Sequence, residues 1–244
     1  MKAIALFIYS VLSYLFAFAS IIYWILSVSN LIPEISIDGI PTVPISQAIL
    51  TNVLLITILG LQHSIMARKS FKKFITRFIP EAMERSTFVL MSGATLTMLV
   101  YYWQPVGGII WSFESGSFAF YTMYALFLGG WAIMFISSFL INHFDLFGLR
   151  QGYLTLVGKP YTPLQFKVWS LYKYTRHPLY FGCILGVWAT PHMTVTHLFF
   201  AILITTYFVI GALFEEKDLI RDFGDKYRHY MGKTSMIIPF LRIK

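Results

Sequence analysis

Charge is scarce in this chain of 244 residues, where Asp, Glu, Lys and Arg together make up 12%. A soluble domain carries about 25%. The shortage excludes a disordered chain and an ordinary water-soluble globule. Cysteine is almost missing too. The single Cys183 excludes a disulfide within the chain and any multi-cysteine zinc or iron–sulfur site. No His-x-x-x-His or His-Glu-x-x-His pair is present, so no metal site is expected. No Gly-x-Gly-x-x-Gly occurs either, which leaves a membrane reductase open but without a Rossmann fingerprint. No internal repeat is visible. What is abundant is apolar: 57% of the residues are hydrophobic and 18% aromatic. A globular core does not need that much apolar surface; a bilayer does.

A membrane span takes about 20 largely apolar residues. Candidates lie at about 3–29, 45–66, 86–103, 118–141, 178–190 and 194–214. The first is longer than the apolar core of a signal peptide and is read as a retained helix. The fifth is short and reaches across only if tilted. With the sixth it reads as a helical hairpin, its tip near Pro191 and His192. The expected fold is an all-α integral membrane protein of about six hydrophobic helices, the last two a hairpin, with a cytoplasmic cofactor site. All of 1–244 is expected to be one polytopic domain.

The placement of positive charge supports this map. Of 19 Lys and Arg, one is Lys2, six lie in 68–85, five in 150–176 and seven in 217–244; the segments 31–44 and 104–117 contain none. An even number of spans puts every basic segment on one side. The positive-inside rule makes that side the cytoplasm, with both termini there. The formal charge of +8 then reads as topology and contact with anionic lipid headgroups. A nucleic-acid partner is not expected.

Two segments could carry chemistry. In Tyr174-Thr-Arg-His-Pro-Leu-Tyr180, Pro178 suits a first helical position, and Arg176 and His177 then stand at a helix mouth that favours anions. The same residues also suit a plain interfacial anchor. Glu215 and Glu216 end the last span, and adjacent carboxylates at a membrane boundary are costly unless solvated or paired. They suit either a solvated helix end or a partner for a cationic or hydroxylated ligand. Phe223-Gly-Asp-Lys-Tyr227 and Tyr230 follow as an amphipathic segment. Cys183 reads as packing.

Together, Arg176-His-Pro-Leu-Tyr-Phe-Gly182, Glu215-Glu-Lys-Asp-Leu219 and Phe223-Gly-Asp-Lys-Tyr-Arg-His-Tyr230 resemble the C-terminal signature of membrane methyltransferases. That superfamily includes isoprenylcysteine carboxyl and phospholipid methyltransferases. Further upstream, Gln62-His-Ser-Ile-Met-Ala-Arg68, Asn142-His-Phe-Asp-Leu-Phe-Gly-Leu-Arg-Gln151, Pro160-Tyr-Thr-Pro163 and Trp188-Ala-Thr-Pro-His-Met-Thr-Val195 look like bacterial methanethiol S-methyltransferases. The resemblance implies a bacterial cytoplasmic membrane enzyme, S-adenosylmethionine as methyl donor, a small thiol as acceptor and dimethyl sulfide as product. It implies that Arg176 and His177 hold the donor's carboxylate. Glu215 or Glu216 would take its amine or ribose hydroxyls, and Tyr180 and Tyr227 would offer aromatic faces to the cation. Tyr174 and Pro178 complete the candidate donor set.

The thiol must lose its proton, since the thiolate is the nucleophile. His63 and His143, each at the end of a span, are candidate proton acceptors, and Arg150 a candidate cation beside the thiolate. A lone histidine at a helix end is more often a solvated or capping group. His192 and His197, on the far side of the hairpin, are discounted. A lipid or prenylated-cysteine methyltransferase, or a non-catalytic membrane protein, are the competing expectations.

Overall fold

The computed structural model describes residues 1–241. Its elements run α1 (Lys2–Val28), α2 (Ile45–Ala67), α3 (Lys69–Ile75), α4 (Glu81–Tyr101), β1 (Ile109–Ser112), α5 (Phe118–Ile141), α6 (His143–Leu146), α7 (Leu149–Leu156), α8 (Pro178–Trp188), β2 (His192–Thr194), α9 (Val195–Phe223) and α10 (Asp225–Lys233). Four of these, α1, α2, α5 and α9, are long and apolar enough to cross a membrane. The fold is that of an all-α membrane protein. A helix covers each expected span, with two differences. In α4 the helix starts early, at Glu81, because Pro80 caps it and charged Glu81 and Glu84 suit its first turn. α8 has 11 residues, a rise of about 16 Å, roughly half the hydrocarbon core. Pro178 fixes its start, and it ends at Trp188, capped by Ala189 before Pro191.

The described residues divide into two compact units, each made of two stretches of chain: residues 1–107 with 142–163, and residues 108–141 with 164–241.

In the first unit, α1 packs on α4 and α7. The buried residues of α1 are Ser10, Ser13, Ala17, Ser20, Trp24, Ser27 and Val28, a stripe at helical spacing made mostly of small residues. In lipid there is no hydrophobic drive between helices, so small side chains and hydroxyl pairs do the joining. Here Ser86 donates to Ser10 at 2.9 Å and Thr97 to Ser20 at 2.9 Å. Gly148 caps α7 at φ 82° and lies against the Ser86 backbone, a left-handed turn that suits glycine. Buried Asn52 of α2 makes two bonds to the Gln104 main chain, at 2.8 and 2.9 Å. Asn52→Leu is therefore expected to strand the partly buried Gln104 N–H and C=O and to cost roughly 2–6 kcal/mol, from about 1–3 kcal/mol per unsatisfied group. A melting curve in detergent measures it; an unchanged midpoint would show that those groups rebond elsewhere.

In the second unit, α5 packs on α8 and α8 on α9. β1 and β2 pair antiparallel and join the α8–α9 connection to the chain before α5. Trp111 donates to the Thr190 carbonyl at 3.1 Å, and the Thr194 hydroxyl caps α9 by accepting from His197 N–H at 2.9 Å. His197 itself is buried, with Nε2 2.8 Å from the Val187 carbonyl, a structural role at the hairpin tip. The buried face of α9 runs Phe200, Ile204, Phe208, Ala212, Glu216. These are successive i,i+4 positions on one stripe, so the apolar face of the span delivers a carboxylate at its end.

Candidate functional site

The chain before α8 and the chain after α10 are laced together by main-chain bonds. Arg176 N–H donates to Ser235 at 2.9 Å and His177 N–H to Met236 at 3.0 Å. The Thr175 hydroxyl bonds the carbonyls of Met236 and Ile237, at 2.9 and 2.7 Å. This fixes Arg176 and His177 at the start of α8, facing the end of α9.

There they meet the two glutamates. Arg176 Nε lies 2.5 Å from Glu216 Oε1, and its Nη1 donates to the carbonyls of Met231 and Thr234. His177 Nε2 stands 3.3 Å from the same Glu216 Oε1 and its Nδ1 3.5 Å from Glu215 Oε2. Tyr180 donates to Glu215 Oε2 at 2.8 Å, and its ring stacks between His177 and Phe208, centroids 5.2 and 5.1 Å away. The side chain of Glu216 is only 7% exposed and that of Glu215 46%, as expected for neighbours about 100° apart around a helix.

The resemblance gives Arg176 and His177 the donor's carboxylate. Where Arg176 and His177 would bind a carboxylate of the donor, this chain's own carboxylates stand. The guanidinium gives Nε to Glu216 and Nη1 to two carbonyls, and its Nη2 has no hydrogen-bond partner among the described residues. Each glutamate has one oxygen engaged. Glu216 Oε2 and Glu215 Oε1 have no hydrogen-bond partner among the described residues, and neither does the hydroxyl of Tyr227, which is 2% exposed. Burial and the nearby Glu216 charge push the Tyr227 phenol well above its ordinary value. Burial likewise pushes the Tyr230 phenol up to about 12, and that hydroxyl donates to the Tyr172 carbonyl at 2.5 Å. Both phenols are hydrogen donors at neutral pH. Tyr174 and Pro178 go elsewhere: they line an apolar pocket, and the ring of Tyr174 lies against Phe240, centroids 5.7 Å apart.

The other three candidates belong to the first unit. His143, at the start of α6, is buried, with Nε2 3.1 Å from the Tyr14 hydroxyl and its ring 4.7 Å from that of Phe147. Burial pushes its pKa below the ordinary value, so the imidazole is neutral at pH 7 and fit to accept a proton. Arg150 is tied down: Nη1 bonds Asp145 Oδ1 at 2.8 Å and the Thr162 carbonyl at 2.9 Å, Nη2 the Thr162 hydroxyl at 2.7 Å. Its guanidinium lies over the Tyr161 ring, and Tyr161 donates to Asp145 Oδ2 at 3.3 Å. His63 Nδ1 is 3.1 Å from the Leu59 carbonyl and its ring meets Phe88 edge-on. Arg85 covers the same Phe88 and donates to the Leu146 carbonyl of α6 at 2.7 Å.

Tyr14, Tyr172 and Thr234 join these clusters although nothing in the sequence marks them. Tyr14 is one hydroxyl in an uncharged run 129 residues from His143. Thr234 contributes a carbonyl, which any residue carries.

No family model and no solved structure matches the chain. Curated proteins do. It is 45% identical over 236 residues to the methanethiol S-methyltransferase of Crocosphaera subtropica, covering 96% of this chain and 91% of that protein. The methanethiol S-methyltransferase of Mycobacterium tuberculosis is 41% identical over 242 residues, 98% of both chains. That of Pseudomonas deceptionensis is 42% identical over 239 residues, 96% of this chain and 89% of its own. More distantly, Nurim of Danio rerio is 24% identical over 188 residues, 74% of this chain and 66% of its own. Similarity of this extent, spanning both units and every candidate residue, shows that the chain belongs to the methanethiol S-methyltransferase family.

Proposed function

We propose that this protein methylates methanethiol to dimethyl sulfide with S-adenosylmethionine as the donor. The observation that supports the donor most directly is the pair of unpartnered carboxylate oxygens, Glu216 Oε2 and Glu215 Oε1, near the hydroxyl of Tyr227. Two acceptors and one donor suit a ligand that bears an ammonium, ribose hydroxyls and a carboxylate. When bound, S-adenosylmethionine supplies an electrophilic methyl group on a sulfonium. Glu216, held by Arg176 and His177, would take the ammonium. Glu215, more exposed, would take hydroxyls, and Tyr227 would donate to the carboxylate. Tyr180 orients Glu215 and offers its ring to the cation.

For the acceptor, neutral His143 would take the thiol proton, with Tyr14 fixing the imidazole. Arg150, anchored by Asp145, would favour the thiolate by its charge, and His63 is the second candidate base. The enzyme is assigned to a bacterial cytoplasmic membrane with both termini in the cytoplasm, on the distribution of its basic residues.

The test is calorimetric titration of the detergent-purified protein with S-adenosylmethionine, followed by headspace detection of dimethyl sulfide after methanethiol is added. Binding without product would move the acceptor to another class, and folded protein that does not bind would end the proposal. His143→Gln is expected to lower kcat by about 10²-fold or more with donor affinity unchanged. The same change should alter the pH dependence of stability. A histidine whose folded pKa is depressed stabilises the fold above its unfolded value of about 6.5, and that stability is lost as pH falls below it. Melting curves taken below that pH should therefore lose part of their acid sensitivity in His143→Gln. Unchanged kcat and an unchanged acid limb would remove His143 from the mechanism.

A further inference from the structure

The second unit contains a pocket that the donor chemistry does not use. It has a volume of about 210 Å³ and is walled by Ile133 of α5, Pro178 and Phe181 of α8, and Leu171 and Pro239, with Tyr174 and Phe240 at its edge. Thr175 is its one hydroxyl-bearing wall residue apart from Tyr174, and that hydroxyl is already bonded to the carbonyls of Met236 and Ile237. The walls thus offer a ligand almost wholly apolar surface. The mouth is aromatic and open, Tyr174 being 52% exposed and Phe240 81%.

Its depth in the unit can be read from the helices. Trp169 donates to the Leu140 carbonyl and Tyr172 to that of Ser137, so the chain entering α8 lies against the last turn of α5. The end of one span and the start of the next helix meet there. Trp169, Tyr174 and Phe240 form the exposed aromatic belt that marks a membrane–water boundary. Ile133 lies eight residues before the end of α5, about 12 Å deeper at 1.5 Å per residue. The pocket therefore runs from headgroup level into the acyl region. Lys173, next in the chain to Tyr174 at the pocket's edge, is exposed and makes no ion pair among the described residues.

We infer that this pocket binds one acyl chain of an anionic phospholipid, the chain lying between α5 and α8 and the headgroup at Lys173. An apolar slot opening at the boundary fits an alkyl chain, and the basic mouth selects the anionic headgroup. On its inner side the same five residues, Tyr174 to Pro178, carry Arg176 and His177. A bound lipid would thus brace the segment whose Arg176 and His177 hold the glutamates.

The test places the protein in phosphatidylcholine nanodiscs containing phosphatidylglycerol with a diazirine in mid-chain, followed by photolysis and peptide mapping. Adducts are expected to concentrate on the peptides bearing Phe181 and Phe240 and to fall when unlabelled phosphatidylglycerol competes. Ile133→Trp, which fills the slot, should remove them. Lys173→Glu is a surface change that leaves the core intact, and it should reduce them about fivefold or more. Adducts spread evenly over the lipid-facing helices, equal labelling by a phosphatidylcholine probe, or no response to Lys173→Glu would overturn the site. A cross-link joining two copies through this pocket would overturn it as well, by making the occupant a second chain. None of these readouts depends on methyl transfer.

Discussion

Glu216→Ala is expected to abolish binding of S-adenosylmethionine and to destabilise the protein, whereas Glu215→Ala should weaken binding alone. The contrast follows from where one helical step puts the two carboxylates. Glu216 lies at the end of the buried stripe of α9, and its Oε1 takes both Arg176 and His177. Removing it leaves a guanidinium 10% exposed without its counter-charge, a change that costs about 3–5 kcal/mol. Glu215 is half exposed and holds mainly the Tyr180 hydroxyl, so its loss should cost about 1 kcal/mol or less. Each lost charge-assisted bond to the donor weakens binding by about 1.5–3 kcal/mol, on the order of 10- to 100-fold. Glu216→Gln keeps the shape and separates the two effects in folded protein. Paired melting curves and titrations measure all three variants. If folded Glu216→Gln and Glu215→Ala both bind the donor as the parent does, the donor site lies elsewhere.

The second large effect is expected from one methyl group. Gly182→Ala should cost more than about 3 kcal/mol, at or above the usual range for overpacking. A Cβ at Gly182 would stand 2.6 Å from the Gly130 carbonyl oxygen and 2.6 Å from the Met134 nitrogen, both backbone atoms of α5. Backbone cannot swing aside, so the helices must part. Gly186, one turn on, meets the ring of Trp131 as closely. Gly182 and Gly186 thus form a small-xxx-small face of the kind that lets membrane helices touch. Because α8 follows directly on Arg176 and His177, its displacement should weaken donor binding too. Gly129→Ala is the control: a Cβ there meets nothing within 4 Å, and the change should be neutral or mildly stabilising. A melting midpoint for Gly182→Ala equal to that of Gly129→Ala would mean that α5 and α8 do not pack this closely.

The helical membrane fold is legible in the sequence because hydrophobic length and charge placement are properties of contiguous residues. Pro44, Pro80 and Pro178 stand at helix starts, where the chain punctuates itself. The cluster of Arg176, His177, Tyr180, Glu215 and Glu216 is legible as a set because its motifs are short and dense. What each member does is not. Whether an arginine faces a ligand or its own glutamate depends on how the chain after α10 returns to lie beside Thr175, and nothing local encodes that return. Tyr174 and Pro178 belong to the same motif as Arg176, yet they line a different wall, Tyr174 in a helical backbone conformation at the end of a short turn and Pro178 as the first residue of α8. The helical stripe on α9 does distinguish Glu216 from Glu215, and counting in fours from Phe208 through Ala212 reaches Glu216 on the residue order alone. Tyr14 against His143 is the opposite case, a long-range contact between residues with no shared pattern.

The two units interleave along the chain, and that order has a consequence during synthesis. α5 belongs to the second unit, but its partner α8 starts only after the first unit has taken residues 142–163. The ribosome therefore delivers α5 to the membrane with the Gly130 face uncovered. At about 5–20 residues per second, the 37 residues from Ile141 to Pro178 take roughly 2–7 s. For that interval a groove shaped for another helix is open to lipid, to the insertion machinery and to any neighbouring chain in the same state. Neither unit can be excised as one fragment, and a transcript cut short after residue 163 would yield a completed first unit carrying an orphaned span, a natural substrate for membrane quality control.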